Sequence, residues 1–234
     1  MLMYCFLFFI SWGLQELIPL KYDKQTMSNI IVRSYHSVGC IYYLTPLLLK
    51  IDHPLVEIEY SRMPYDIEFV LTRSATYFMW DIFSISISNE PSKSLYILHH
   101  IISWITIVYP LYYEINWYLV SLGLFLGEVT NPLSQVSAIC TLFNYYNNTF
   151  EKWYFMFMLF IRGFICPWLI IILIYDLGYK YGIYGSNVLT QSMFINFFTM
   201  ISITSVSFDW LNNKYKQILL KSITSNHNEE IKKN

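Results

Sequence analysis

The chain has 234 residues, of which 55% are hydrophobic and 13% are charged, and its formal net charge is −1. Because a soluble domain carries about 25% charged residues, this composition predicts an integral membrane protein whose partners are membrane lipids or fatty acyl chains. The near-neutral charge, without a basic run interleaved with aromatics, argues against nucleic-acid binding. The four cysteines form no CxxC or Cys/His ligand pattern, so we predict neither a disulfide framework nor a metal site.

Seven apolar stretches approach the length of about 20 residues that a membrane-spanning helix needs. In chain order they cover residues 2–19, 29–49, 66–88, 95–112, 117–143, 153–177 and 187–211. The first has neither a basic leader nor a small-residue cleavage site, so we predict a helix there and not a signal peptide. The expected parts are an N-terminal helix and loop (1–28), a multi-pass domain (29–221) and a disordered cytosolic tail (222–234).

The distribution of basic residues predicts the orientation of the spans. With an external N-terminus, the outer loops hold only Lys50, Arg62 and Lys180, whereas the inner loops and tail hold nine lysines. Because cytoplasmic loops are enriched in Lys and Arg, the C-terminus is predicted to be cytosolic. The nine inner lysines are Lys21, Lys24, Lys93, Lys152, Lys214, Lys216, Lys221, Lys232 and Lys233.

Five charged residues lie well inside the predicted spans: Arg33, Arg73, Asp81, Glu128 and Arg162. Each would cost about 2.5 to 3.5 kcal/mol if it faced lipid at the centre of a helix. We therefore expect all five to face the interior of a helical bundle and to find partners on neighbouring helices. For the three arginines, ion pairs that fix the register of the helices are the favoured role.

Other polar residues recur at helical spacing from these charged residues, so each helix carries a polar stripe along one face. Tyr77 shares a face with Asp81, and Asn131 shares one with Glu128. At 1.5 Å per residue, His36, Asp81 and the histidine pair at 99 and 100 lie about 10 Å from the cytosolic end of their helices, with Glu128 at about 16 Å. The stripes predict a bundle with a polar interior in which these residues approach one another.

Two prolines fall close to buried charges. Pro132 cannot donate to the carbonyl of Glu128, and Pro167 cannot donate to that of Gly163, beside Arg162. We expect a kink at each position. Repair of such kinks by neighbouring helices is the alternative interpretation.

The adjacent imidazoles of His99 and His100 form the leading functional hypothesis. A titratable group inside a membrane span is by default a candidate functional residue, and no packing requirement explains two in succession. For His36 alone, an interhelical hydrogen bond is favoured over a catalytic role. A haem held between His36 and His99 remains an alternative, whereas a transporter is disfavoured because no inverted repeat appears.

Six motifs resemble, in order and spacing, those of the TLC-domain family, and the resemblance covers residues 33–221. It implies a six-helix barrel that holds a long lipid in the endoplasmic reticulum or a related endomembrane. The motifs are VRSYHS, SATYFMWD, LHHIISW, GEVTNP, IRGFICP and FDWLNNKYKQILLK.

The ceramide synthases of that family use a histidine pair to transfer a fatty acyl group from coenzyme A to a sphingoid amine. By this resemblance His99 and His100 match the pair and Asp81 matches a buried aspartate, with acyl-CoA as co-substrate. Where the synthases carry a further His-Asp motif, this chain has Glu128 to Pro132, which looks more like the small TLC-domain transmembrane proteins linked to phospholipid composition.

Two hypotheses follow from these residues and from the resemblance. The first is a lipid-binding or lipid-regulating membrane protein without a cofactor. The second is an acyl-CoA-dependent acyltransferase that uses His99, His100 and Asp81. In both, the predicted substrate-binding residues are Arg33, His36, Tyr77, Glu128, Asn131 and Arg162.

Overall fold

The computed structural model describes residues 2–17, 24–49, 62–87, 93–114, 117–143, 145, 147–169, 171–172, 175 and 188–233. These residues contain no strand, and the predicted all-α class is confirmed. The helices are α1 (Leu2–Leu17), α2 (Lys24–Leu49), α3 (Tyr65–Ile87), α4 (Lys93–Tyr113), α5 (Trp117–Glu128), α6 (Asn131–Leu142), α7 (Asn148–Met158) and α8 (Val188–Lys233), with a π-helical segment, Leu159–Ile165, directly after α7.

Within the described residues, six helical units form a ring, where α5 with α6 and α7 with the π-helical segment each count as one unit. The seventh unit, α1, lies outside the ring. Helix α2 packs against α3, α3 against α4, and α4 against α8; α8 then contacts α7 and the π-helical segment, and α5 and α6 close the ring on α2. Helix α1 packs on the outside, mainly against α2. This is the expected bundle, because the helices that carry polar stripes turn them toward a shared interior and away from lipid.

The predicted fifth span, 117–143, is not one continuous helix. Helix α5 ends at Glu128, a two-residue turn follows, and α6 starts at Asn131. The physical reason is Pro132, which lacks the amide hydrogen that would continue the ladder and is favoured in the first turn of a new helix. The predicted kink is thus a complete break, and it leaves Glu128 at a helix end.

The predicted sixth span also departs from regular α-helix. Residues 159–165 wind as a π-helix immediately before Pro167, and Arg162 lies in the middle of this segment. Removal of the amide donor at Pro167 disturbs the hydrogen bonds of the preceding turn, and π-helical turns are frequent at functional sites. The kink predicted here therefore appears as a widened turn that carries a charged side chain.

Helix α8 continues to Lys233, whereas the sequence predicts disorder over 222–234. From Asn213 to Lys233 the chain contains neither glycine nor proline, which would interrupt a helix, and several of its residues are Lys, Glu and Leu, which favour helix.

The outer surface of the ring is apolar. Large side chains such as Phe83, Phe160 and Phe198 expose 63%, 58% and 62% of their surface. Exposed apolar area on this scale marks a surface that contacts lipid or another apolar partner. By length and composition, Lys93–Tyr113 is the one helix among the described residues that meets the criteria of a membrane span, and the apolar part of α1, Leu2–Ser11, is shorter.

Some sequence predictions lie outside the described residues. Among the basic residues that set the predicted orientation, these are Lys21, Lys50 and Lys180. The same holds for the predicted span boundaries at residues 19, 88, 177 and 187.

Candidate functional site

Asp81 on α3 is held by partners from two neighbouring helices. Arg33 of α2 donates to Asp81 Oδ1 from Nε over 3.2 Å and from Nη2 over 3.1 Å. The Tyr77 hydroxyl donates to Oδ2 over 3.3 Å, and Nε2 of His100 on α4 lies 3.3 Å from the same oxygen. Because only 2% of the Asp81 side chain is exposed, these partners replace the water that the carboxylate has lost. The predicted partners on neighbouring helices are confirmed for this residue.

Glu128 occupies the break between α5 and α6. The Ser37 hydroxyl donates to its Oε2 over 2.6 Å, and the Asn131 amide donates to the same oxygen over 2.9 Å. His36 Nε2 lies 3.7 Å from Oε1. Both oxygens are thus occupied from α2 and α6, which fixes the acid at the point where the fifth span is interrupted.

Arg162 projects from the π-helical segment to the same break. Its Nε donates to the Thr130 hydroxyl over 3.0 Å, and its Nη2 donates to the Gly127 carbonyl over 2.7 Å and to Asn131 Oδ1 over 2.9 Å. Asn131 therefore stands between Glu128 and Arg162, with its amide nitrogen on the acid and its amide oxygen on the cation.

His36 lies next to Tyr77 and Glu128 but does not line the cavity. Its ring is fully buried and stacks on Tyr77, with centroids 3.7 Å apart and planes inclined by 10°. The Tyr4 hydroxyl is 3.3 Å from Nδ1, and Cys40 Sγ is 3.5 Å from Nε2. The interhelical hydrogen bond suggested for His36 thus describes its position better than direct contact with a ligand.

The histidine pair opens toward the interior of the ring. The two rings have centroids 5.3 Å apart, and both residues are partly exposed. The Nδ1 atoms of His99 and His100 are buried, and no hydrogen-bond partner for them exists in the part of the chain that the structure describes. Two buried imidazole nitrogens in the wall of the cavity thus have no hydrogen-bond partner among the described residues.

A cavity of about 470 Å³ occupies the centre of the ring. Of the nine predicted site residues, all except His36 line it. Much of the remaining lining is apolar and comes from α5 and α8, with Leu119, Leu122, Met200, Ile203 and Val206. Cavities that bind small ligands measure about 300 to 1,000 Å³ and combine a mostly apolar lining with a few polar groups, as this one does.

The two histidines considered as haem ligands in the sequence do not share the cavity. His36 is enclosed by Tyr77, Tyr4 and Cys40 and does not share the cavity with His99, so the two imidazoles do not face each other across a common space. Among the described residues, no group of three or more His, Cys, Asp or Glu side chains is placed to hold a metal ion.

Comparison with known proteins agrees with this architecture. The family model described as the TLC domain matches residues 26–212, about four fifths of the chain. The chain belongs to the TLC-domain family. No curated protein and no solved structure matches it. It is therefore a polytopic membrane protein of a family with lipid-related functions, and the resemblance inferred from the six motifs is confirmed.

One residue of this TLC-domain protein that sequence reasoning missed lies outside the matched range. Tyr4 of α1 is completely buried, and its hydroxyl contacts His36 and accepts from Arg73 Nε over 3.2 Å. The sequence offered little signal for it, since the chain contains 21 tyrosines. Helix α1 thus supports the site from outside the family domain.

Two glycines of the TLC domain were also missed, although their spacing is informative. Gly123 and Gly127 form a GxxxG pair, which usually allows two helices to pack closely. Here both glycines line the cavity, and a Cβ atom added at Gly127 would meet no described atom within 4 Å. The pair therefore keeps space free inside the ring.

A second buried ion pair joins three helices of the TLC domain outside the cavity lining. Lys214 Nζ on α8 lies 2.5 Å from Glu151 Oε2 on α7, and it donates to the Ser137 hydroxyl on α6 over 2.8 Å. Ser137 in turn donates to Glu151 Oε1 over 2.8 Å. Because none of the three lines the cavity, we assign this cluster to the packing of the ring.

Proposed function

We propose that this protein binds a membrane lipid inside the ring of helices and thereby influences membrane lipid composition. The observation that carries the proposal is the 470 Å³ cavity, whose apolar lining suits an acyl chain and whose polar lining suits a head group. Asp81 and Glu128 already have their charges balanced or hydrogen-bonded by the protein, as a preformed binding site requires. The glycine pair keeps one side of the cavity unobstructed.

Filling the cavity is expected to expel the lipid. In Gly127→Phe the new Cβ atom meets no described atom within 4 Å and the ring can enter the cavity that Gly127 lines, so the protein should fold while its bound lipid falls several-fold. Native mass spectrometry of the purified protein measures this occupancy. Gly127→Ala is the matched control, because a methyl group leaves most of the volume free and the lipid should remain bound. Wild-type protein purified without any co-isolated lipid would refute the proposal.

Acyl transfer is a second candidate function, supported by the contact between His100 and Asp81. With Nε2 of His100 3.3 Å from the carboxylate, the proton is favoured at Nε2, and Nδ1 keeps a lone pair. A movement that exposes Nδ1, which is buried in the structure, would let it take the proton from an attacking hydroxyl or amine of the acceptor lipid. As the new ester or amide bond forms, the thioester bond of acyl-CoA breaks and the coenzyme A thiol leaves.

The acyl-transfer candidate predicts that His100→Ala lowers turnover by about 10² to 10⁴, the usual contribution of a general base. The measurement is incorporation of labelled acyl-CoA into sphingoid bases, lysolipids or ethanolamine lipids by protein in proteoliposomes. His36→Ala is an informative comparison, because His36 does not line the cavity and should affect stability more than turnover. If the wild-type protein transfers no acyl group to any of these acceptors, lipid binding alone remains.

We also propose a cellular setting that follows from the sequence and the family. An external N-terminus and a cytosolic C-terminus are supported by the excess of lysines on one side of the spans. Placement in the endoplasmic reticulum or a related endomembrane, and kinship with the small TLC-domain transmembrane proteins, are supported by the resemblance of the motifs.

A further inference from the structure

Arg162 is the cavity-lining cation whose partners are all neutral. Its Nε and Nη2 donate to the Thr130 hydroxyl, the Gly127 carbonyl and the Asn131 amide oxygen. Within the described part of the chain it forms no ion pair, in contrast to Arg33, which is paired with Asp81. A guanidinium inside a membrane domain is costly unless a partner compensates its charge.

Glu128 is the nearest acid in the hydrogen-bond network around Arg162, but it makes no direct contact that would balance the charge of the guanidinium. Glu128 connects to Arg162 only through Asn131, which separates the two charged groups. The carboxylate oxygens of Glu128 contact Ser37, His36 and Asn131, so they are held by α2 and α6. An anion that approached Arg162 from the cavity would therefore meet the guanidinium, while Glu128, which also lines the cavity, keeps its carboxylate hydrogen-bonded to Ser37 and Asn131.

The geometry of the arginine leaves donors for such an anion. A guanidinium has five N–H groups, and the contacts made here use Nε and Nη2 only. Nη1 has no partner among the described residues, and Arg162 lines the cavity and is partly exposed. Three fixed hydrogen bonds orient the group, so little additional side-chain entropy is lost when a ligand binds.

We propose that Arg162 forms an anion subsite that binds the acidic head group, a carboxylate or a phosphate, of an acyl-chain lipid in the cavity. Gln135, one turn after Asn131 on α6, lines the same side of the cavity and adds an amide donor. The acyl chain extends along the wall that Gly123 and Gly127 keep free. This inference rests on the proposed lipid-binding function and defines the class of lipid.

The test compares two ligands that share one chain and differ in head group, oleate and oleyl alcohol. The delipidated full-length protein is offered both at equal concentration, and native mass spectrometry counts the bound molecules. The wild type should prefer oleate by about tenfold or more, as one charge-assisted hydrogen bond implies. Arg162→Gln should bind both about equally, whereas Arg73→Gln, which alters an arginine that does not line the cavity, should keep the preference.

The outcomes separate this inference from the proposed function. If the wild type and Arg162→Gln prefer oleate to the same degree, or the wild type shows no preference, the anion subsite is wrong and lipid binding stands. If neither ligand binds the wild type, the proposed function itself fails. If inorganic phosphate alone raises the melting temperature of the wild type but not of Arg162→Gln, and abolishes oleate binding, Arg162 serves free anions and not a lipid.

Discussion

Replacing Asp81 with asparagine is expected to lower the free energy of unfolding by about 3 kcal/mol. The amide keeps the shape of the side chain but removes the charge that balances Arg33 and the acceptor that faces His100 Nε2. Loss of one member of a buried ion pair costs about 3 to 5 kcal/mol, and the lower end applies because the Arg33 side chain is 22% exposed. Chemical or thermal unfolding in detergent measures the change.

Two further variants isolate the charge at Asp81 as the cause. Asp66→Asn alters an exposed acid in the first turn of the same helix and should cost less than about 1 kcal/mol, the scale of a helix-end interaction. Adding Arg33→Met to Asp81→Asn should recover about 1 kcal/mol or more, because the guanidinium that lost the Asp81 carboxylate is then removed as well. An Asp81→Asn protein as stable as the wild type would show that this ion pair does not hold α2 against α3.

Gly39→Ala is expected to lower the free energy of unfolding by about 1 to 3 kcal/mol, although alanine is the better helix former. A Cβ atom at Gly39 would lie within 2.6 Å of Arg73 Cζ, far inside van der Waals contact. The guanidinium has no easy way to move, since it donates to the Tyr4 hydroxyl and to the Tyr35 carbonyl and stacks over the Tyr35 ring at 4.4 Å.

The same substitution at another helical glycine provides the control. Gly127→Ala meets no described atom within 4 Å and should be neutral or stabilise by about 0.5 to 1 kcal/mol. The double variant Gly39→Ala/Arg73→Gln should be less destabilised than the sum of its single changes, because the second change removes the clash. Additive effects, or equal stability of the two alanine variants, would contradict the close approach of α2 and Arg73.

Much of the architecture was predictable because it depends on local properties of the chain. Helical periodicity assigns Tyr77 and Asp81 to one face, and the cost of a charge in lipid turns that face inward wherever the helix stands. Pro132 and Pro167 disturb their own turns, so the positions of the irregularities were predictable as well. The form of each irregularity was not predictable from the sequence. A kink, a break and a π-helical turn differ only in how neighbouring helices satisfy the backbone carbonyl groups that the prolines leave unpaired.

The tertiary structure decided which polar residues meet. The sequence showed that Asp81 needs partners on other helices, where Arg33 and Arg162 were both available by composition, and only the packing of α2 against α3 pairs it with Arg33. The packing of the helices also stacks His36 against Tyr77. It places Asn131 between Glu128 and Arg162, where its side chain bridges the two. Such pairings depend on the rotation and translation of whole helices, which are fixed by contacts between residues far apart in the chain and not by the periodicity of any one of them.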